Sequence, residues 1–123
     1  MKKRNTYLLI AGILNLATAI IHLWGGQMDL INPLMESGLD IQIRTELLGV
    51  WHIVSVILFG SAYILIQQGL RKMPNPQLTR IIGWAYILFA LVFILSSLFT
   101  LTFAPQWILL LPIGLLAILG AKK

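Results

Sequence analysis

Four long apolar runs separated by short polar stretches constrain this chain more than any other feature of its sequence. The runs cover residues 7–24, 47–66, 81–101 and 107–119, and none contains Asp, Glu, Lys or Arg. At about 1.5 Å per residue, a helix of roughly 20 residues crosses a hydrocarbon core about 30 Å thick. The chain is 59% hydrophobic and 11% charged, whereas soluble domains are roughly 45–50% apolar and about 25% charged, so the composition indicates a membrane protein.

These runs predict an all-α fold: an integral membrane four-helix bundle with up-down-up-down topology, forming a single domain over residues 1–123. We expect helices at about residues 6–25, 41–68, 78–101 and 105–121, with an outer loop at residues 26–40. Gly25 and Gly26 are expected to end the first helix. Within the loop, Asn32 and Pro33 are suited to a helix start and Gly38 to its end. They predict a short interfacial helix, which either covers a site beneath it or only packs its own apolar side chains.

The charged residues are divided between the two sides of the predicted bundle. All four acids and one base, Arg44, precede or begin the second run. The remaining bases flank the other ends of the runs: Lys2, Lys3, Arg4, Arg71, Lys72, Arg80, Lys122 and Lys123. Basic residues concentrate on the cytoplasmic side of membrane proteins, so this pattern predicts that both termini are cytoplasmic.

The first run also has features of a signal peptide, with a basic start followed by the small residues Ala17-Thr18-Ala19. The apolar run continues through Ile20 and Ile21, beyond that potential cleavage site. Removal of the first helix would also take bases from the cytoplasmic side. We therefore expect the first helix to be retained.

Polar and small residues recur along one side of three predicted helices. Ala11, Asn15, Thr18 and His22 are spaced four, three and four residues apart, which places them on one helix face. In the second helix the corresponding inward face is predicted to hold Thr45, Gly49, His52 and Ser55. A third stripe consists of Gly83, Tyr86, Ala90, Phe93, Ser97 and Thr100. Such stripes should face the bundle and not the lipid.

The segment from Arg44 to His52 brings the most polar chemistry into an apolar region, and it faces His22 in the predicted topology. Ionisable residues within a membrane are costly and therefore indicate function. The candidate residues for binding a ligand or cofactor are His22, His52, Arg44, Asn15, Thr18, Ser55, Ser97 and Glu46. For the asparagine and the hydroxyl residues, the alternative is hydrogen bonding between helices. For the tryptophans, Trp51 included, the alternative is an interfacial belt.

The main functional hypothesis is an outer-leaflet pocket that binds a small apolar or amphipathic ligand or cofactor. One alternative is a non-catalytic accessory or assembly subunit of a larger membrane complex, or a homo-oligomer. Another is an electron-transfer protein in which His22 and His52 bind haem axially. Zinc would require a third or fourth ligand, and Glu46 lies about 120° around the helix from His52.

Several function classes are disfavoured. The chain has no cysteine, which excludes disulfides and thiolate chemistry. It contains no phosphate-binding glycine loop, no HExxH motif and no nucleophile elbow. The net charge of +5 is explained by membrane topology, so no nucleic-acid partner is expected. Binding is therefore predicted in preference to catalysis.

In the segments from Gly12 to His22 and from Arg44 to His52, the chain resembles small four-helix bacterial inner-membrane proteins of unassigned function. It is similar to the DoxX group in size and layout. The resemblance covers the whole chain in topology and rests on short motifs. It implies a multi-pass location in the bacterial inner membrane, and it implies no particular activity.

Overall fold

A computed structural model describes residues 4–123, and all regular secondary structure in this part of the chain is helical. Met1, Lys2 and Lys3, including two of the bases used to predict orientation, lie outside the described residues. The helices are α1 (Thr6–Gly26), a π-helical turn (Gln27–Ile31), α2 (Asn32–Glu36), α3 (Ile41–Leu70), α4 (Pro76–Thr100) and α5 (Trp107–Ala121). Three continuous helices, Thr6–Glu36, α3 and α4, are long and apolar enough to cross a membrane.

Side-chain caps explain where the three long helices begin. The side chains of Asn5, Asp40 and Asn75 each accept a backbone hydrogen bond from the first turn of α1, α3 and α4. Such caps satisfy backbone donors that have no partner inside the helix. At its other end, α4 stops at Leu101, which adopts the left-handed conformation with φ 53°. Only a short connection to α5 follows.

The predicted break after the first helix is wrong. Gly26 adopts right-handed helical angles, φ −65° and ψ −30°, and the helix continues through the π-helical turn into α2. Glycine typically ends a helix where the backbone must adopt left-handed angles. Gly26 keeps right-handed angles, so the helix does not end there. Ile31 within the turn is buried, so packing favours continuation. The predicted short helix near Asn32 exists as the end of this longer helix. We call the segment Gly26–Glu36 the cap.

Neighbouring helices pack closely through glycines. Helix α1 packs against α3 on one side and α5 on the other, and α4 packs against α5. A Cβ at Gly12 would lie 2.6 Å from Ile66 Cγ1, and one at Gly83 would lie 2.9 Å from the carbonyl oxygen of Gly114. Glycine is required at these two crossings, since any side chain would separate the helices. Helices α3 and α4 make few direct contacts with each other.

One end of the bundle gathers three helix ends around a single residue. The Asn5 backbone N–H donates to the Gly69 carbonyl at 3.0 Å, and its side-chain amide donates to the Gly120 carbonyl at 2.8 Å. The start of α1 therefore meets the ends of α3 and α5. The described bases near this end, all exposed, are Arg4, Arg71, Lys72, Arg80, Lys122 and Lys123. All four acids lie between Asp29 and Glu46, near the opposite end.

Candidate functional site

The face that α3 presents to α1 differs from the predicted one. Thr45, Gly49 and His52 are all exposed, and a Cβ at Gly49 would meet nothing within 4 Å. The predicted inward face is therefore wrong for these three residues. Buried or half-buried positions of α3 recur in alternating steps of four and three: Arg44, Leu48, Trp51, Ser55, Leu58, Ala62, Leu65 and Gly69. This repeat places the bulky Trp51, and not its neighbour His52, against α1.

His22 and Trp51 form the centre of the site. Their rings are stacked, with centroids 3.8 Å apart and an angle of 15° between the planes. His22 Nε2 lies 3.3 Å from the carbonyl oxygen of Trp51. A carbonyl oxygen can only accept, so Nε2 carries the proton and donates. Ser55 Oγ donates to the same carbonyl at 3.2 Å from within α3, so only the His22 hydrogen bond to this carbonyl joins α1 to α3.

Gly26 provides the surface on which the Trp51 indole rests. A Cβ built at Gly26 would overlap Cζ2 of that indole and would lie 2.5 Å from Cη2. Only glycine therefore permits the contact. The absence of a side chain at Gly26, and not an end to the helix, is the structural role of this residue. The tryptophan is consequently held between the His22 ring and the cap.

Two donors in this region have no acceptor. Among the described residues, the buried side-chain atoms Arg44 Nε and Trp51 Nε1 make no hydrogen bond. The other end of the Arg44 side chain donates from Nη1 to the Met35 carbonyl at 2.6 Å, near the end of α2. Arg44 and Trp51 lie two helical turns apart on one face of α3. We refer to His22, Trp51 and Arg44 as the outer cluster.

A second polar group lies deeper in the bundle. Asn15 Nδ2 donates to Ser61 Oγ at 2.9 Å, and Tyr86 OH donates to Asn15 Oδ1 at 2.8 Å. Ser61 Oγ and Tyr86 OH are 2.6 Å apart. Ser61 Oγ also donates to the Ile57 carbonyl of its own helix at 2.6 Å, so either hydroxyl can donate in the Ser61–Tyr86 contact. The three side chains therefore form a closed ring of polar contacts. We call these residues the polar ring; it links α1, α3 and α4.

The remaining predicted site residues do not join the outer cluster. Thr18 is buried and donates to the Leu14 carbonyl of its own helix at 2.8 Å. Ser97 donates to the Phe93 carbonyl and accepts from the Ala104 backbone, so it shapes the turn after α4. Glu46 is exposed and accepts from Gln42. His52 is exposed. Around the axis of α3 it lies about 100° from Trp51 in one direction, whereas Ser61, which contacts Tyr86 of α4, lies about 80° from Trp51 in the other direction. His52 is therefore on the side of α3 turned away from α4.

Sequence reasoning misses three residues that matter here. From sequence, Trp51 is expected in the interfacial belt, Tyr86 only in a stripe facing the bundle, and Ser61 in no role. The spacing of Trp51 from Ser55 and Leu58 matches the buried repeat of α3, so a heptad pattern could have identified it. No sequence pattern predicts the contact between Ser61 and Tyr86, because the two residues lie on different helices, 25 positions apart in the chain. These helices also make few other direct contacts.

The arrangement does not fit axial haem ligation by the two histidines. His22 uses Nε2 for the Trp51 carbonyl and one ring face for the indole, so the usual ligating nitrogen is occupied. His52 projects from the exposed surface of α3. Within residues 4–123, no three His, Asp or Glu side chains are grouped as metal ligands.

Comparison with known proteins gives no relative for this chain. No protein-family model, no curated protein and no solved structure matches it. The resemblance to the DoxX group in size and layout stays a prediction. Function is therefore inferred from the geometry of the described residues.

Proposed function

We propose that this is a multi-pass protein of the bacterial inner membrane, with both termini in the cytoplasm and the cap on the outer side. Three membrane-length helices support the membrane location. The gathering of exposed bases around the Asn5 end, and of all acids near the other end, supports the orientation. Basic residues in cytoplasmic segments determine orientation during insertion, so the positions of these bases favour a cytoplasmic Asn5 end.

We further propose that the outer cluster binds the polar head of a small amphipathic ligand. The observation that carries this proposal is the pair of buried donors without acceptors, Trp51 Nε1 and Arg44 Nε. A buried donor left unpaired costs about 1–3 kcal/mol, and buried polar groups in folded proteins are almost always paired. A ligand that supplied acceptors would recover this cost. The two unpaired donors therefore favour the binding of a ligand that carries hydrogen-bond acceptors.

Access to these donors requires movement of the cap. Both nitrogen atoms are closed to solvent in the structure, while Gly26 of the cap covers the indole and the Met35 carbonyl holds Arg44. The π-helical turn at Gln27–Ile31 is the point where the regular helical hydrogen bonding changes. Single π-helical turns occur frequently at functional sites. The ligand head enters when the part of the cap that follows this turn, which carries the Met35 carbonyl, moves away from Arg44.

The test uses Trp51→Phe, which keeps an aromatic ring next to His22 and removes the indole N–H. Purified protein in an alkyl maltoside is titrated with amphiphiles, and the thermal unfolding midpoint is followed by circular dichroism. We expect wild type to gain stability with the correct ligand and Trp51→Phe to lose that gain. Trp84→Phe, on the exposed surface of α4, is the matched control. An equal ligand-induced shift in wild type and Trp51→Phe would refute the site.

An accessory or assembly subunit is the second candidate, and one observation favours it. The face of α3 that carries Gly49, Val56, Gly60 and Tyr63 is exposed, and a Cβ placed on either glycine would meet nothing within 4 Å. Small residues on a helix surface permit close approach of another membrane helix. Purification in mild detergent would reveal a stoichiometric partner chain; a monodisperse monomer that binds ligand would exclude this candidate.

A further inference from the structure

We infer that the ligand of the outer cluster is an electrically neutral amphiphile whose head presents carbonyl oxygens, such as a quinone or an ester. This inference rests on the proposed function, because it names the class of ligand for the same site. Two independent observations select this class. One is the hydrogen-bonding inventory of the outer cluster, and the other is the charge around it.

The hydrogen-bonding inventory calls for acceptors on the ligand. Trp51 Nε1–H and Arg44 Nε–H are both donors, and neither nitrogen can accept. The Trp51 carbonyl, the acceptor next to them on α3, already receives hydrogen bonds from His22 and Ser55. An amine or alcohol head would bring its own donors to a cluster that already has donors in excess. Carbonyl oxygens complement the two nitrogen atoms directly.

The surrounding charge disfavours an anionic head. The segment from Gln27 to Glu46 contains Asp29, Glu36, Asp40 and Glu46, and its only base is Arg44. Four negative charges against one positive charge leave a net charge of −3 for the segment. The Arg44 guanidinium donates from Nη1 to the Met35 carbonyl and supplies the single positive charge of this segment. Like charges around an entrance lower the local concentration of an anion, so a phosphate or sulfate is repelled.

A cationic head meets the opposite difficulty. The carboxylates would attract it to the outer end, but an ammonium offers three donors and no acceptor. It would leave Trp51 Nε1 and Arg44 Nε unpaired and would place a positive charge near the Arg44 guanidinium. A neutral carbonyl head avoids both problems. Its alkyl chain remains in the hydrocarbon beside the exposed apolar side chains of Ile20 and Ile21.

The test compares amphiphiles of matched chain length and different heads. Methyl dodecanoate and a dodecyl-substituted quinone are neutral and carry carbonyls, dodecyl phosphate is anionic, and dodecylammonium is cationic. Each is added to wild type and to Trp51→Phe in an alkyl maltoside, whose head has neither carbonyl nor charge. We expect the neutral carbonyl compounds to raise the unfolding midpoint of wild type only. Their Kd should be about tenfold or more below those of both charged compounds.

Two results separate failure of this inference from failure of the proposed function. If dodecyl phosphate or dodecylammonium gives a Trp51-dependent shift equal to that of the neutral compounds, the site stands and the ligand class is wrong. If no compound gives a Trp51-dependent shift, both fail. The control for correct folding is the helical circular dichroism and unfolding midpoint of Trp51→Phe without ligand.

Neutralising the exposed carboxylates tests the effect of charge on its own. The triple variant Asp29→Asn, Glu36→Gln, Glu46→Gln removes three negative charges from exposed positions. It keeps Asp40, whose side chain accepts a backbone hydrogen bond from the first turn of α3. We expect dodecyl phosphate to gain affinity for this variant by about tenfold, with methyl dodecanoate unchanged. Continued exclusion of the phosphate would overturn the assignment of selectivity to these carboxylates.

Discussion

The polar ring and the outer cluster place similar chemistry in the same bundle and use it in opposite ways. In the ring, each of Asn15, Ser61 and Tyr86 lies within hydrogen-bonding distance of the other two, and the ring closes on itself. In the outer cluster, two buried nitrogen atoms find no acceptor among residues 4–123. Closed networks stabilise and specify a fold, whereas unpaired buried groups oppose folding. The difference distinguishes polar residues that hold this protein together from those available to a ligand.

The position of each group agrees with this division. The polar ring supplies side-chain contacts between α3 and α4, which otherwise make few contacts. The outer cluster lies at the end of the bundle under the cap, where the helix changes its hydrogen-bonding pattern. Replacing residues of the ring should therefore change stability without ligand. Replacing residues of the outer cluster should mainly change the response to ligand.

Asn15→Ala should have the largest effect on stability. It removes two hydrogen bonds of the polar ring, leaves both hydroxyls short of a partner and opens a small cavity among fully buried side chains. We expect the free energy of unfolding to fall by about 2–3 kcal/mol, measured by unfolding in mixed detergent. Asn32→Ala, on the exposed surface of α2, is the control. A loss as small as that of the control would mean that the ring contributes little.

Gly26→Ala should have the next largest effect. The new methyl group would occupy the space of the Trp51 indole, so the indole must move, at a cost of about 1–3 kcal/mol. Gly49→Ala is the matched control, because its methyl group meets nothing within 4 Å and alanine favours a helix by about 0.5–1 kcal/mol. Opposite signs for the two variants are expected in thermal unfolding. Equal effects would contradict the close packing of the cap on α3.

Tyr86→Phe should weaken the polar ring less than Asn15→Ala does. It leaves the aromatic ring in place and removes one hydroxyl, after which Ser61 can still donate to the Ile57 carbonyl of its own helix. The expected loss is about 1 kcal/mol. Tyr63→Phe alters an exposed hydroxyl on α3 and should change stability by less than about 0.5 kcal/mol. Additive losses in Asn15→Ala plus Tyr86→Phe would show that the two residues are not coupled.

His52→Ala should have the smallest effect, both on stability and on ligand binding. Its side chain is exposed on the flank of α3, so we expect a change within about 0.5 kcal/mol. His22→Ala, by contrast, removes the stacking with Trp51 and the hydrogen bond to its carbonyl, at about 1–2 kcal/mol. Thermal unfolding with and without methyl dodecanoate compares the two. If methyl dodecanoate no longer raised the unfolding midpoint of His52→Ala, His52 would be part of the binding site.

The sequence alone predicted the helical class, three of the four expected membrane-length spans and the face of α1; the fourth expected span, α5, is only 15 residues long. Those features follow from runs without charge and from the spacing of Asn15 and Thr18, which are buried. Such signals are local, because apolar length and helical periodicity are set by neighbouring residues. The sequence also placed all four acids within one short segment, and that placement underlies the proposed ligand class.

The tertiary structure decided which residues meet. Along α3, the stripe containing Thr45, Gly49 and His52 and the stripe containing Arg44 and Trp51 are both compatible with helical spacing. The choice depended on contact between Trp51 and Gly26, which lie on different helices. Likewise, the glycine pair at residues 25–26 resembles a helix end until packing of Ile31 keeps the helix intact. The fit of side-chain volumes between two helices determines how each helix is rotated about its axis and whether it continues past a glycine. No local sequence pattern contains that information.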